Sequence, residues 1–450
     1  MAMPYQDFIH QLNWQNVPAT TQTMTRRCLL DLLGVAASGI QTDLSRIIRQ
    51  HAIHQFGAGS SSARLLFDGR SCSPTGAALA GGMTIDSIDA HDGYKPTKGH
   101  AGCGLLPALL AFLEAEYGDA VSEEELLTCL LIGYEIACRA GIALHDSVPD
   151  YHTSGAWVAV AVAAMGARLL KLDAEQTRHA IGIAEYHGPR SQMMRCIDHP
   201  TMLKDGSGWG AMAGVSAAYL AQDGFTGAPA ITLEAEAQTP LWGDLGEQWL
   251  IELQYFKPFP VCRWAQPAVT AVLQMQQEHN FDAADISNVS IGTFHESARL
   301  ATPNPATTEQ AQYSLPFPVA AALIRKQITV AEISGAALQD TAINQLSSDI
   351  TIHEVDDYNA QFPQERISDV SITLSDGRTL NSGPTKATGD PEIPLTEAEI
   401  DEKFMLFASP LLGQAQTAQL ITHIRNMGQA NNLSALNAMI YPTTNPGTHQ

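Results

Sequence analysis

The chain has 450 residues, of which 45% are hydrophobic and 16% are charged. This composition is typical of a folded protein with two or three domains, and it excludes a largely disordered chain. Forty-seven acidic residues against 25 Lys and Arg give a formal net charge of −22. Such a surface is repelled by nucleic acid and by anionic membranes, so we expect a small molecule as the partner.

The seven cysteines are dispersed along the chain, and none forms a CxxC pair. An odd, scattered set of this kind predicts reduced thiols. The N-terminus lacks the basic-then-apolar pattern of a secretory signal. The apolar stretch Cys28–Ile40 is interrupted by Asp31 and is too short to span a bilayer. We therefore expect a cytoplasmic protein.

The predicted elements from about residue 20 to 265 are almost all helices, because apolar side chains recur every three or four positions. The clearest segments are Gln22–Ala37, Glu123–Ala143 and Ala174–Glu185. Ser122 precedes three glutamates in a capping-box pattern, and Gly224 is placed to end a helix.

One long loop interrupts these helices at Asp86–Gly104, where the sequence is DSIDAHDGYKPTKGHAGCG. Loops rich in polar residues often carry function, and this one holds Asp86, Asp89, His91, Asp92, Lys95, Lys98 and His100. The Asp92 side chain could accept a hydrogen bond from the His100 ring or from a substrate hydroxyl. A solvated loop with a turn at Asp92–Gly93 stays open as an alternative. Asp89, His91 and Asp92 match no established metal motif, so we expect no metal.

Three predicted helices begin shortly after a titratable or cationic residue. His100 precedes Gly104–Tyr117, His152 precedes Trp157–Leu170, and Lys204 precedes Gly208–Ala221. The first turn of a helix has unpaired N–H groups and a partial positive charge, which attract anions. A single histidine there is more often a cap or a solvated residue. Three such starts, on helices rich in Gly and Ala that can pack closely, predict neighbouring helix ends that suit an anion.

The residue pattern changes after about residue 270, where apolar and polar residues begin to alternate as in half-buried strands. Strands are predicted at Ile286–Phe294, Asp349–Val355 and Ile367–Leu374, with a hairpin turn at Ser375–Gly377. Helices are predicted at Gln310–Lys326, at Glu332–Gln345 and again within Thr396–Ile440.

Together these patterns predict a mainly α fold with an α+β part. A large all-helical domain comprises residues 1–267 and is completed by C-terminal helices within residues 396–450. A smaller α+β domain comprises residues 268–395. The tail after Pro442 is expected to fray.

The residue patterns favour acid–base chemistry on an anionic substrate without a cofactor. The chain has no GxSxG, no GxxxxGK[ST] and no GxGxxG after a strand, and its cysteines lack a base nearby in sequence. His100 and His152 can exchange protons near neutral pH. Lys204 and Lys257 can bind carboxylates and stabilise developing enolate charge.

Several segments resemble the MmgE/PrpD family in the same order along nearly the whole chain. They are Asp31–Gly39 (DLLGVAASG), Asp92–Pro107, His152–Gly166, Lys204–Gly227, Lys257–Arg263 (KPFPVCR), Gln312–Ala322 and Glu402–Phe407 (EKFMLF). The family includes 2-methylcitrate dehydratases, cis-aconitate decarboxylases and an iminodisuccinate epimerase. The resemblance implies a large helical domain, a smaller α+β lid, an active cleft between them, a homodimer and no metal.

The resemblance also assigns site residues. Asp92 matches the family's loop aspartate, His100 its loop histidine and His152 its second histidine, while Lys204 and Lys257 match its two lysines. We therefore expect His100, His152, Asp92 and Lys204 to be catalytic. We expect Lys257, Arg263, Lys98 and Tyr313 to bind substrate.

Three departures from the family pattern concern the substrate. The loop between Asp92 and His100 is one residue longer and carries two lysines. Gln266 stands where members often have His, and Phe317 stands where many have Tyr, with Tyr313 as a possible replacement.

The expected function is a cofactor-independent lyase that acts on a small di- or tricarboxylate. A hydro-lyase of the 2-methylcitrate dehydratase type is the leading hypothesis. Cis-aconitate decarboxylation or epimerisation would use the same residues, because each reaction passes through a carbanion beside a carboxylate. A non-catalytic carboxylate-binding homologue is the alternative from another class.

Overall fold

A computed structural model describes residues 4–428 and 431–442. The first part of the chain is helical, with two small two-stranded sheets, β1 with β2 and β3 with β4, at its loops. Its elements are α1 (Tyr5–Gln11), α2 (Ala19–Gly39), α3 (Asp43–Gln55), β1 (Ala63–Arg64), β2 (Ser71–Cys72), α4 (Pro74–Asp86), β3 (Gly93–Tyr94), α5 (Gly102–Glu116), α6 (Glu123–Ser147), α7 (Gly155–Leu169), α8 (Ala174–His187), α9 (Met194–Asp198), α10 (Ser207–Gln222), α11 (Ile231–Glu234), α12 (Thr239–Trp242) and β4 (Gln254–Tyr255).

The second part combines helices with a five-stranded sheet. Its elements are α13 (Gln266–His279), β5 (Ile286–Thr293), α14 (His295–Ala298), α15 (Thr308–Gln312), α16 (Pro316–Arg325), α17 (Thr341–Asp349), β6 (Thr351–Glu354), α18 (Asp356–Gln361), β7 (Ile367–Leu374), β8 (Thr379–Asn381) and β9 (Thr385–Lys386). Strand β5 is central: it pairs in parallel with β6 and antiparallel with β7, and β7 pairs antiparallel with β8 and β9. Buried and half-buried residues alternate along β7, as its sequence predicts.

The chain then returns to helix in α19 (Glu397–Leu412), α20 (Gln414–Arg425) and α21 (Ser434–Ile440). Helices α19 and α20 pack on α2. The large core therefore contains side chains from Phe8 to Phe256 together with C-terminal ones such as Phe404 and Leu420. A second core joins α13 and α16 to the sheet. The predicted fold class, a large helical part with a smaller α+β part, is confirmed. The predicted boundary after residue 267 falls within α13, and the second core also contains Val261, Cys262 and Trp264 from before it. The division into domains stays a prediction.

The Ser122 cap and the Gly224 stop are confirmed, whereas the reciprocal bond of a capping box is not formed, because the Glu125 carboxylate pairs with Arg168. The Ser122 hydroxyl accepts a hydrogen bond from the Glu125 N–H at 3.1 Å, which starts α6 one residue later. Gly224 follows α10 at a φ of +89°, a left-handed conformation that ends a helix at low cost for glycine.

Two helix predictions in the second part are wrong. The predicted helix Gln310–Lys326 is broken between Gln312 and Pro316, because Pro316 has no N–H to donate to a carbonyl of the preceding turn and so starts a new helix. In the predicted helix Glu332–Gln345, only α17 is an α-helix, and it begins late, at Thr341. The residues before it form two short 3₁₀ helices, Val330–Ile333 and Gly335–Gln339, and Gly335 has a φ of +53°. The tail after Pro442 lies outside the described residues.

Helix α6 is long and apolar enough to cross a bilayer by length and composition. However, 94% of its most apolar window is buried within the protein. It is a central helix of the large core, packed against α5 and α7.

Close packing of α7 against α10 brings the starts of these two helices together. A Cβ atom added to Gly210 would lie 2.3 Å from the Gly155 carbonyl oxygen, and one added to Gly214 would lie 2.5 Å from the Ala159 carbonyl oxygen. No side chain fits at these positions without backbone movement. The Gly- and Ala-rich composition of both helices therefore sets the distance between the loops that precede them.

Candidate active site

The starts of α5, α7 and α10 meet around one buried carboxylate, Asp205. The Ser154 N–H donates to Asp205 Oδ1 at 2.9 Å, and the Ser154 hydroxyl donates to Asp205 Oδ2. The His100 N–H donates to the same Ser154 oxygen at 2.8 Å. The Gly155 N–H donates to the Asp205 carbonyl at 3.2 Å. The predicted proximity of the three helix starts is confirmed, and the anion at the start of α7 is the chain's own Asp205.

Asp205 is one of two neighbouring buried carboxyl groups. Burial raises its pKa, and the nearby Asp86 carboxylate raises it further, although hydrogen bonds from Ser154 oppose this. The Asp205 N–H also donates to Asp86 Oδ2 at 3.2 Å. Two carboxylates this close resist being ionised together, so the pair favours holding a proton near neutral pH.

Beside this junction lies a cavity where the helical part faces the α+β part. Five of the predicted site residues line it: Lys98, His100, Lys257, Arg263 and Tyr313. It is also lined by Asp89, Tyr151, Met193, Ile197, Tyr255, Cys262, Trp264 and Arg366. Sequence reasoning did not identify Tyr151, Tyr255 or Arg366 as site residues. They come from three distant segments, and only the fold brings them together.

His100 is held in one tautomer by the backbone. Its Nδ1 lies 2.6 Å from the Asp92 carbonyl oxygen, which can only accept, so Nδ1 carries the proton and Nε2 presents a lone pair. Burial lowers the pKa of His100 well below its ordinary value, and the Lys257 ammonium and His91 lower it further. His100 is thus a neutral imidazole at neutral pH, which is the form that a general base requires.

The Asp92 side chain does not contact the His100 ring. Its Oδ2 accepts a hydrogen bond from the Tyr134 hydroxyl at 2.6 Å, and its N–H donates to Asp31 Oδ2 at 3.0 Å. Burial raises the pKa of Asp92 to about 7, and the Asp31 carboxylate contributes to the rise. The structure therefore assigns the orientation of His100 to the main-chain carbonyl of Asp92 and not to its carboxylate.

Lys257 and Lys204 flank the Asp89 carboxylate. Lys257 Nζ forms a buried ion pair with Asp89 Oδ1, and Lys204 Nζ donates to Gln312 Oε1 at 2.6 Å. Burial alone would raise the pKa of Asp89, but the two ammonium groups outweigh burial and lower it below its usual range. Lys204 also lies over the Tyr313 ring, 4.7 Å from its centroid. Lys257 lines the cavity, whereas Lys204 is not among its lining residues and lies behind Tyr313.

Lys98 and Lys204 have unusual backbone conformations. Their φ angles are +50° and +51°, in the left-handed region that residues with a Cβ adopt at a cost. Lys171 and Lys326 share this conformation, but they terminate helices, where it is common. Non-glycine residues held in this region cluster at functional sites, which agrees with the predicted roles of Lys98 and Lys204.

His152 is not among the residues that line the cavity. Its N–H donates to His145 Nε2 at 3.2 Å, and the two rings stack with their centroids 6.5 Å apart. Its neighbour Tyr151 lines the cavity instead. The catalytic role assigned to His152 by resemblance stays a prediction.

The two departures at Gln266 and Phe317 have structural explanations. The Gln266 side-chain NH₂ donates to the Phe259 and Val261 carbonyls at 2.8 and 3.0 Å, so it holds the segment that carries Cys262 and Arg263. Phe317 is fully buried in the second core, whereas Tyr313 lines the cavity. Tyr313 therefore supplies a phenol that Phe317 does not.

A cation site is conceivable at Asp89, His91 and His100, whose ligand atoms lie within 4.8 Å of one another and are all buried. The Asp89 oxygen nearest to the lysine is already paired with the Lys257 ammonium. A divalent ion would face that positive charge at close range, which disfavours a metal among these residues.

Lys403 on α19 stabilises the loop that leads from Ala90 to His100. Its ammonium donates to Asp31 Oδ1 and to the Ala90 carbonyl, the latter at 2.6 Å, while Asp31 Oδ2 accepts the Asp92 N–H. The Lys403 and Asp31 side chains retain only 6% and 0% of their exposed surface. A chain of contacts thus connects α19 to the carbonyl that orients His100.

We predict that Lys403→Met lowers the free energy of unfolding by about 3–5 kcal/mol, because the substitution leaves the buried Asp31 charge unpaired. The measurement is denaturation by urea. Lys386→Met is the matched control: Lys386 pairs with Glu365 at the surface, and its loss should cost about 1 kcal/mol or less. The double variant Asp31→Asn/Lys403→Met should recover much of the loss. Equal effects of Lys403→Met and Lys386→Met would contradict the prediction.

Comparison with known proteins agrees with this architecture. The chain is similar to cis-aconitate decarboxylase of Homo sapiens, with 25% identity over 96% of this chain and 92% of that protein. It is also similar to cis-aconitate decarboxylase of Mus musculus, with 24% identity over 96% of this chain and 91% of that protein. Cis-aconitate decarboxylase of Aspergillus terreus is 20% identical over 94% of this chain and 92% of that protein. These relatives are lyases by name, and the prediction of an enzyme of the lyase class is confirmed at that level. The MmgE/PrpD N-terminal domain profile matches residues 6–239 and the MmgE/PrpD C-terminal domain profile matches residues 259–428, so the chain belongs to the MmgE/PrpD family.

Proposed function

We propose that this protein is a cofactor-independent lyase that acts on a small di- or tricarboxylate, with dehydration of the 2-methylcitrate type as its leading reaction. The observation that carries the proposal is the state of His100. A neutral imidazole with its Nδ1 proton fixed on the Asp92 carbonyl lines a cavity that also contains Lys257 and Arg263. A base beside cations suits removal of a proton next to a carboxylate.

In the proposed reaction, His100 Nε2 takes the proton from the carbon beside a carboxylate. The electron pair of the broken C–H bond moves onto that carboxylate, and Lys257 and Lys204 stabilise the added negative charge. The pair then returns to form the C=C bond as the C–O bond breaks. The leaving hydroxide takes a proton from an acid in the site, so the products are an alkene and water.

The phenols of Tyr255 and Tyr313 are our candidates for that acid. Burial raises the pKa of both above the ordinary value, so both stay protonated at neutral pH. Each lines the cavity with His100 and can donate a hydrogen bond to a departing hydroxyl. Asp92 and His152 are proposed as further catalytic residues on the strength of the resemblance, and the His152→Ala variant belongs in the same assays.

Decarboxylation of cis-aconitate is the second candidate, because the relatives described above carry that name. It would break a C–C bond, release CO₂ and require a proton donor for the resulting carbanion. A histidine with a strongly lowered pKa is rarely protonated at neutral pH, which makes His100 a better base than acid. This feature favours reactions that begin with proton removal, namely dehydration and epimerisation.

We predict that wild-type protein converts 2-methylcitrate or citrate to a conjugated alkene, seen as new ultraviolet absorbance. His100→Ala should lower kcat by about a hundred-fold to ten-thousand-fold, the usual contribution of a general base. His54→Ala is the matched control, because His54 is exposed on α3.

Three other outcomes of this assay would redirect the assignment. Release of CO₂ from cis-aconitate without dehydration would replace the leading reaction by decarboxylation. Loss of stereochemical purity without an alkene would indicate epimerisation. Binding of these acids without turnover, and no effect of His100→Ala, would overturn the enzymatic proposal in favour of a carboxylate-binding protein.

We predict that protonation of His100 causes no fall in kcat/KM from about pH 8 down to pH 6.5 and lowers kcat/KM only at lower pH. The sign follows from the base: its neutral form is active, and burial together with Lys257 places the pKa of His100 well below 6.5. Protonation of His100 therefore lowers kcat/KM only near and below the pKa of His100. The measurement is the pH profile of kcat/KM, with circular dichroism at each pH as the control for folding. Because burial raises the pKa of Asp92 to about 7, the same profile is measured for Asp92→Asn. An acid limb centred at or above pH 6.5 that persists in Asp92→Asn would contradict this state of His100.

We also propose a cytoplasmic homodimer. The support is the resemblance, the seven cysteines, all buried as free thiols, and exposed apolar side chains such as Leu203 and Trp209 near the start of α10. We predict the mass of a dimer in light scattering at micromolar concentration, and a monomeric mass would overturn this part of the proposal.

A further inference from the structure

Arg366 is a buried arginine that forms no ion pair with a described residue. It lies just before β7 in the α+β part, it is 3% exposed, and it lines the cavity that contains His100. Its Nε and Nη1 atoms are buried and have no hydrogen-bond partner among residues 4–428 and 431–442. A guanidinium cannot release its proton at any ordinary pH, so this charge is buried without compensation.

Other buried arginines in the described structure are compensated. Arg139 pairs with Glu135 and Asp244, and Arg263 pairs with Asp390 and donates to the Thr388 carbonyl at 2.9 Å. Burying a charge without a partner is expensive. The contrast indicates that the partner of Arg366 is a ligand.

The charges near Arg366 also favour an anionic ligand. Burial lowers the pKa of Lys98, and the Arg366 charge lowers it further, against a weaker opposing effect of Glu296. The Lys98 ammonium lies over the Tyr151 ring, 5.0 Å from its centroid, and forms no ion pair with a described residue. Lys98 and Arg366 are thus two cations in one cavity that the chain itself leaves uncompensated.

The cavity therefore contains two sets of cations that differ in charge balance. Lys257, whose charge lowers the pKa of His100, is already paired with Asp89. Lys98 and Arg366 have no carboxylate partner among the described residues. A carboxylate of the substrate would supply the negative charge that these two cations lack.

We propose that Arg366, assisted by Lys98, binds a carboxylate of the substrate that is remote from the reacting carbon, and so restricts the enzyme to molecules with at least two carboxylates. This rests on the proposed function and adds to it a residue that selects the substrate. The planar guanidinium can bind the carboxylate through two parallel hydrogen bonds, which a lysine at this position cannot do. The remote carboxylate would also connect the α+β part to the helical part across the cavity.

The test is binding of propane-1,2,3-tricarboxylate by isothermal titration calorimetry to wild type, Arg366→Gln and Arg366→Lys. This probe has no hydroxyl to lose, so binding is measured without turnover. Arg366→Gln should weaken binding by about ten-fold or more, the usual effect of losing a hydrogen bond to a charged group. Arg366→Lys should recover part of it. Arg378→Gln is the matched control, because Arg378 is exposed and pairs with Asp376 in the β7–β8 turn.

A second measurement separates ligand binding from a structural role. Without ligand, Arg366→Gln should have a melting temperature equal to or above that of wild type, because an uncompensated buried charge has been removed. An arginine that stabilised the fold would give a lower melting temperature on substitution. Unchanged tricarboxylate affinity, or a lower melting temperature of the free variant, would overturn the proposal.

The outcome is independent of the proposed reaction. If Arg366→Gln loses affinity while wild type turns over none of the acids tested, the carboxylate site stands and the lyase proposal fails. If wild type is active and Arg366→Gln binds the tricarboxylate as wild type does, the carboxylate site fails and the lyase proposal stands.

Discussion

The contact between Asp205 and Ser154 is the constraint on which the rest of the site depends. Asp205 accepts hydrogen bonds from the start of α7, and Ser154 accepts the His100 N–H. Three helices are thereby fixed relative to one another, and the loop that carries His100 is fixed with them. The close glycine contacts between α7 and α10 make this junction possible, because bulkier residues would hold the two helix starts apart. The positive ends of helices serve here to hold a buried structural carboxylate.

Around this junction the cavity combines three electrostatic states. His100 is neutral because it is buried and close to Lys257. Asp89 is ionised because Lys257 and Lys204 flank it. Arg366 is charged and has no partner of its own among the described residues. Each state suits a different task, namely proton removal, fixing of the lysines and binding of a substrate carboxylate. Neighbouring charges determine these states as much as the residue types do.

Much of this arrangement was predictable from sequence, and the rest depends on distant contacts. The helix starts near His100 and Lys204 follow from a local pattern, since the Gly- and Ala-rich segments that come after these residues are apolar and pack closely. Arg366 could not be identified, because a single arginine before a strand is common and only the fold shows that it lacks an acid. The orientation of His100 by the Asp92 carbonyl was equally hidden, since every residue has a carbonyl. Pro316 and Gly335 broke predicted helices because their backbone preferences outweigh the apolar pattern.

The contact between Lys403 and Asp31 joins residues 372 positions apart in sequence. During synthesis the ribosome produces His100 early, but it reaches Lys403 only after about nine tenths of the chain. Until then the Asp31 carboxylate beneath the loop lacks its cation, and the carbonyl that orients the base lacks its anchor. Ordering of the loop that carries His100 therefore depends on a residue made late in synthesis, and a product that ends before Lys403 would carry this loop without its cationic anchor.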